Sequence, residues 1–204
     1  MYPHLQFLTL DGVAWSHAQQ VEAALAGGVR WIQFRAKGLA MVDWIKLAEP
    51  LAAACRAQGA IFIVNDSVEV ALAVGAHGVH LGAEDAPPAL ARARLGPQAI
   101  IGVTLNTPLD LGRLQGVTVN YAGVGPWRMT QSKQKLAPVH TAASLQALIQ
   151  AAAPLPTYAI GGVTLEDYAT LRALGVHGIA VSGAIARSAQ PVQAARELVQ
   201  ATSL

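Results

Sequence analysis

Three strand-like segments and two glycine turns of this 204-residue chain carry the groups that could do chemistry. The run from Trp31 to Lys37 reads WIQFRAK, with Gln33, Arg35 and Lys37 alternating with Ile32, Phe34 and Ala36. An extended chain turns alternate residues to one side, so an amide, a guanidinium and an ammonium group share a side. Arg grips phosphate through paired N–H groups, and Lys adds a point charge. The expected chemistry is binding of a phosphorylated small molecule; solvated charges at an exposed strand end are the structural alternative. Asn65 and Asp66 close the run IFIVND, and Glu84 and Asp85 follow GVHLGA. One carboxylate after each of two neighbouring strands can share a hard cation such as Mg2+, which completes its shell with phosphate and water. Both aspartates also precede helix-like stretches, so helix capping is open to them as well.

Gly161-Gly162 and Ser182-Gly183 end two later apolar runs. Glycine lets backbone N–H groups approach an anion closely. The intervening segment 123–138, GVGPWRMTQSKQKLAP, offers Thr130, Ser132, Lys133 and Lys135 as further phosphate contacts. His77 and His80 in HGVH fit a helix-to-strand joint and a strand better than a metal pair.

Such groups converge only if the elements beneath them do. Eight short apolar or β-branched runs, at 5–10, 31–35, 61–65, 78–81, 99–104, 119–124, 157–161 and 178–182, alternate with helix-like stretches. Alternation implies a parallel sheet with right-handed crossovers. Eight units of roughly 25 residues predict a (β/α)8 TIM barrel occupying residues 1–204 as one domain. The candidate residues then fall where barrel chemistry sits, at the C-terminal ends of strands. A doubly wound open sheet is the alternative, and the count of eight weighs against it. TPLD at 107–110 and TLED at 164–167 predict capped helix starts, and LDLGRLQG at 109–116 is among the helix-like stretches.

The composition is 53% hydrophobic and 13% charged, as in a chain with a large buried core. No apolar run reaches the ~18 residues a membrane span needs. The N-terminus lacks a basic segment followed by an apolar one, so a cytoplasmic protein without a membrane partner is expected. The net charge is +2 and Lys and Arg are dispersed, which disfavours nucleic acid as a partner. Cys55 is the single cysteine, so no internal disulfide forms, and its apolar surroundings predict burial. Nothing in the sequence stands against a homo-oligomer.

In order along the chain, IQFRAK, VND, AHGVHLGAED, IGVT, GVGP…TQSK, AIGGV and GIAVSGAI resemble the motifs of thiamine phosphate synthases. The resemblance runs over nearly the whole chain. It implies a TIM barrel that couples hydroxymethylpyrimidine diphosphate to hydroxyethylthiazole phosphate, or its carboxylated form, releasing diphosphate and using Mg2+. It implies that Gln33, Arg35, Lys37 and Asn65 hold the pyrimidine diphosphate, with Thr104 beside the pyrimidine. Asp66 and Asp85 match Mg2+ ligands, and Lys133 matches a diphosphate-binding lysine. Thr130, Ser132, Gly162, Val181 and Ser182 match the thiazole phosphate site. Lys133, Arg35 and Lys37 are then the catalytic charges.

Some positions depart from the pattern. Ala36 stands where the family often has Glu, Ser67 where Arg commonly follows Asn-Asp, and Trp127-Arg128 where small or apolar residues are usual. Arg128 is a candidate to replace the missing basic residue. Two rival readings remain. A thiazole tautomerase relative shares the glycine loops but uses a His where this chain has Pro126. A non-catalytic barrel that binds a thiamine precursor is the other.

Overall fold

The structure is a computed structural model that describes residues 2–129 and 137–203. Eight strands are β1 (Leu5–Leu8), β2 (Trp31–Phe34), β3 (Ile61–Asn65), β4 (Gly78–Leu81), β5 (Ile100–Leu105), β6 (Tyr121–Val124), β7 (Thr157–Ile160) and β8 (Gly178–Val181). Each pairs in parallel with the next, and β8 returns to β1 through Leu5–Ile179, Gln6–Ala180 and Phe7–Val181. The expected TIM barrel is therefore closed. Both faces of each strand are covered, which is why the strands read as near-continuous apolar runs.

The helices are α1 (His17–Ala26), α2 (Met41–Ala57), α3 (Val68–Ala73), α4 (Pro88–Leu95), α5 (Ala142–Ala152), α6 (Tyr168–Ala173), α7 (Gly183–Ala186) and α8 (Pro191–Thr202). The stretch LDLGRLQG forms a 3-10 helix, Pro108–Leu114, and buries no residue. Gly112 interrupts it and no apolar stripe develops, so little tertiary packing favours a full α-helix there. Both expected capping boxes form: Asp110 Oδ2 accepts from the Thr107 N–H (2.8 Å) and Asp167 Oδ2 from the Thr164 N–H (2.9 Å). The four-residue α7 directly after β8 is not foreseen by the sequence pattern. Cys55 is buried as expected, and burial pushes its thiol up to about 12. Among the described residues no helix is long and apolar enough to cross a membrane.

Strand parity separates two cores. Outward residues such as Phe7, Ile32, Phe34, Val64 and Ile179 pack beneath the helices. Inward residues Leu8, Trp31, Ile63, Tyr121, Tyr158 and Ala180 form a second cluster within the barrel. Trp31 meets Tyr121 and Tyr158 edge-on, with centroids 4.8 and 5.0 Å apart. Gly102 makes room for this plug, because a Cβ there would lie 2.1 Å from the Tyr121 ring. A filled interior leaves open space at the C-terminal strand ends.

Candidate active site

The C-terminal strand ends surround a cavity of about 620 Å³. Gln33, Arg35, Lys37, Asn65, Asp66, Asp85, Thr104, Gly162, Val181 and Ser182 all line it. The fold thus brings together every expected site residue that lies within the described segments. Thr130, Ser132, Lys133 and Lys135 lie outside the described residues.

On the β2 side, two contacts extend the strand's direction beyond Phe34. Thr9 Oγ1 accepts from the Arg35 N–H (2.9 Å) and donates to the Arg35 carbonyl (3.1 Å). Asp11 Oδ2 accepts from the Lys37 N–H at 3.2 Å. The Arg35 guanidinium has no hydrogen-bond partner among the described residues, whereas Lys37 Nζ pairs with Asp66 Oδ2. One cation at this side is available and the other already holds a carboxylate in place.

The two aspartates do not cap helices. Asp66 adopts φ +68°, the only non-glycine residue in the left-handed region among the described residues. Such a conformation costs on the order of 1 kcal/mol and persists where its surroundings enforce it. The turn passes the capping role to Ser67, whose Oγ accepts from the Val70 N–H (3.2 Å). Asp85 Oδ2 accepts from the Gly82 N–H (2.7 Å), and α4 begins without a side-chain cap. Released from capping, the carboxyls of Asp66 and Asp85 stand close enough to shift each other's ionisation. Burial opposes ionisation of Asp66, but hydrogen bonds from Asp85 and Lys37 and the Lys37 charge hold it below the ordinary carboxylate range. Burial and the neighbouring Asp66 push Asp85 up to about 6. Only below about pH 6 does the pair therefore retain one proton between its two carboxyls, both of which line the cavity.

The β7–β8 side is built from backbone. Gly161 and Gly162 have φ of +93° and +64°. A Cβ at Gly161 would lie 2.6 Å from Pro126 Cβ, and one at Gly162 would lie 2.8 Å from Arg128 Cβ. Only glycine meets both demands. The Trp127 and Arg128 N–H groups donate to the carbonyls of Ile160 (2.9 Å) and Gly161 (2.8 Å), lacing the loop after β6 onto this turn. Across from it, Ser182 Oγ is buried without a hydrogen-bond partner among the described residues.

This geometry can be set beside known proteins. A family model described as thiamine monophosphate synthase matches residues 9–185. The chain belongs to the thiamine monophosphate synthase family. The thiamine-phosphate synthase of Laribacter hongkongensis is 44% identical over 191 residues, covering 93% of this chain and 87% of that protein. That of Phocaeicola vulgatus is 38% identical over 199 residues, covering 96% of each. The solved thiamine phosphate pyrophosphorylase from Pyrococcus furiosus superposes with a TM-score of 0.86 at 29% identity, over 98% of this chain and 95% of that one. A 3-hexulose-6-phosphate synthase, at 19% identity and a TM-score of 0.68, shares the fold alone. Family membership makes this chain a transferase of thiamine biosynthesis.

The departures from the family pattern have local explanations. Ala36 packs into the core between sheet and helices, and Ser67 caps α3. Arg128 does not supply a cation to the cavity, contrary to expectation. Its guanidinium makes a two-pronged ion pair with Asp167 and donates to the Gly162 carbonyl (3.2 Å). A nearby buried carboxylate outcompetes an open, solvated mouth for the charge.

His80, Asn106 and Arg187 also line the cavity and were not among the expected site residues. The run GVHL is the expected strand, but His80 lies on its inward parity, opposite Asn65 of β3. That shared parity with Asn65 was the available signal. Arg187 lies just beyond α7, the helix that the pattern missed.

Proposed function

We propose that this chain joins hydroxymethylpyrimidine diphosphate to hydroxyethylthiazole phosphate, or its carboxylated form, to give thiamine phosphate and diphosphate. The observation that carries this reading is the division of one cavity into two anion-receptive sides. Arg35, Lys37 and the Asp66–Asp85 pair stand over β2 to β4, and the Gly161-Gly162 turn with Ser182 stands over β7 and β8.

The bond from the pyrimidine methylene to the diphosphate oxygen breaks, and its electron pair leaves with diphosphate. The thiazole nitrogen supplies the pair for the new carbon–nitrogen bond. An electron-rich aminopyrimidine spreads the positive charge left on the methylene, so no protein nucleophile is required. Arg35 and Lys37 stabilise the charge that grows on the departing diphosphate, which is the kind of preorganised electrostatics that contributes most in such reactions. Lys133 joins them in this proposal on the strength of its motif. Gly162, Val181 and Ser182, with Thr130 and Ser132, hold the thiazole phosphate, while Gln33, Asn65 and Thr104 hold the pyrimidine half. Fixing both halves in one mouth converts a bimolecular encounter into an oriented one.

The residues present suit a magnesium ion. Asp66 and Asp85, one at the end of each of two neighbouring strands, line the cavity together, and Mg2+ takes one or two carboxylates with water and phosphate oxygens. Asp66 and Asp85 would hold it. When bound, the ion supplies positive charge against the diphosphate.

The test is incubation of the protein with both substrates and Mg2+, following diphosphate release and thiamine phosphate formation. Release that needs both substrates is the expected result. Tight binding of thiazole phosphate without release would overturn the proposal in favour of a binding barrel. Interconversion of thiazole isomers without Mg2+ would overturn it in favour of a tautomerase.

A further inference from the structure

A chain of polar side chains crosses the floor of the cavity. Gln33 Nε2 donates to Gln6 Oε1 (3.1 Å), and Gln6 Nε2 donates to the Tyr121 hydroxyl (3.1 Å). The Tyr121 hydroxyl lies 3.0 Å from His80 Nδ1, and His80 Nε2 lies 2.9 Å from Thr104 Oγ1. Five strands contribute one residue each. Gln6, Gln33, Tyr121 and His80 are all buried, so bulk water does not replace the links among these four. The two ends, Gln33 and Thr104, line the cavity.

Such a chain has a direction. A phenol carries one proton, and burial pushes the Tyr121 phenol far above its ordinary value, so the proton stays. With the hydroxyl accepting from Gln6, its own proton has His80 Nδ1 as acceptor at 3.0 Å, and we take the chain in that sense. His80 then carries its proton on Nε2 and donates to Thr104 Oγ1. Thr104, having accepted there, keeps its own proton for the cavity. At the other end Gln33 commits its Nε2 to Gln6. Its Oε1 is buried without a hydrogen-bond partner among the described residues, an acceptor whose desolvation a donor entering from the cavity would offset.

We propose that Gln6, Tyr121 and His80 set the hydrogen-bond polarity of the cavity floor, with Gln33 as acceptor and Thr104 as donor, and thereby select a 4-aminopyrimidine over a 4-oxopyrimidine. This rests on the proposed function, in which the pyrimidine half stands over β2 to β5. The exocyclic amine donates to Gln33 Oε1, and an unprotonated ring nitrogen accepts from the Thr104 hydroxyl. A carbonyl in place of the amine sets oxygen against oxygen at Gln33. Gln6, Tyr121 and His80 act through the two end residues and are positioning residues.

The experiment measures binding of the 4-amino and 4-oxo forms of the pyrimidine diphosphate by calorimetry with Mg2+ present, alongside coupling to thiazole phosphate. Wild type is expected to bind the amino form at least about 100-fold more tightly. Tyr121→Phe conserves volume and is expected to lower that ratio by at least about tenfold, with thiazole phosphate affinity unchanged. His80→Leu does the same, and His80→Gln, whose amide N–H replaces Nε2–H, restores much of the ratio. The His80 pair keeps the test decisive if Tyr121→Phe does not fold. A wild-type ratio retained in both Tyr121→Phe and His80→Leu overturns the inference, as does wild type favouring the oxo form. Coupling without discrimination overturns the polarity alone. Absence of both binding and coupling in wild type overturns the proposed function, and this inference with it.

Discussion

Arg128 and Asp167, 39 residues apart in sequence, form a two-pronged ion pair that fastens the loop after β6 to the turn after β7. The same carboxylate accepts from the Thr164 N–H (2.9 Å), and the same guanidinium donates to the Gly162 carbonyl (3.2 Å). One pair therefore shapes the glycine turn on the β7–β8 side of the cavity. It also gives Arg128 a structural role, in place of the cavity cation that the sequence suggested.

Asp167 is 5% exposed, and burial alone would favour its neutral form. Hydrogen bonds from Arg128 and Thr164 prevail and hold the carboxyl at about 2. A carboxyl depressed in the fold contributes stability above its unfolded value, near 3.9, and loses that contribution as pH falls through the folded value. Asp167→Asn is expected to lose about 2 kcal/mol of unfolding free energy at neutral pH. The gap to wild type should close between about pH 5 and pH 2. Urea unfolding of both proteins across that range checks this; a gap that does not change with pH would assign the effect to packing.

Below about pH 6 the Asp66–Asp85 pair must give up a proton to accept a cation. With Asp85 at about 6, apparent Mg2+ affinity is expected to be steady above about pH 7 and to weaken as pH falls through 6. Mg2+ titrations of turnover at several pH values measure it. Asp85→Asn should cut turnover by at least about 100-fold and flatten this pH dependence. Chelation should stop the reaction and added Mg2+ should restore it.

Thr9 is fully buried and bonds both the N–H and the carbonyl of Arg35. Thr9→Val keeps the shape and removes the hydroxyl, leaving the Arg35 N–H unpaired. A loss of about 1–3 kcal/mol in stability is expected. Because Arg35 is displaced, KM for the pyrimidine diphosphate should also rise while KM for the thiazole phosphate stays constant. Steady-state kinetics with each substrate varied in turn separates the two.

Gly162→Ala places a Cβ in the left-handed region, 2.8 Å from Arg128 Cβ. The expected cost is about 1–3 kcal/mol, and KM for the thiazole phosphate should rise by about tenfold or more. Equal rises in both KM values would mean the whole mouth had moved. Selective loss of the thiazole phosphate would support its placement over β7.

Much of this molecule is legible locally. Apolar runs with β-branched residues place each of the eight strands, and IFIVN and GVHL match theirs residue for residue. The pattern fails where it carries little packing information: LDLGRLQG has helix formers but no buried face, and GAIA is too short to show a period. Gln33, Arg35 and Lys37 share a side because strand parity is a property of neighbouring residues, and the cavity lining bears this out.

The sequence by itself therefore determined the alternation of eight strands and helices, and which residues gather at the C-terminal strand ends. Only the tertiary structure decided how those residues pair. Asp66 meets Asp85 because a left-handed turn after β3 and the Gly82 N–H after β4 aim two loops at each other. Gln6 meets Tyr121 across 115 residues because the sheet closes and its register places both inside. Parity and propensity are local, whereas closure, register and the competition among distant partners for each buried charge are properties of the packed barrel as a whole.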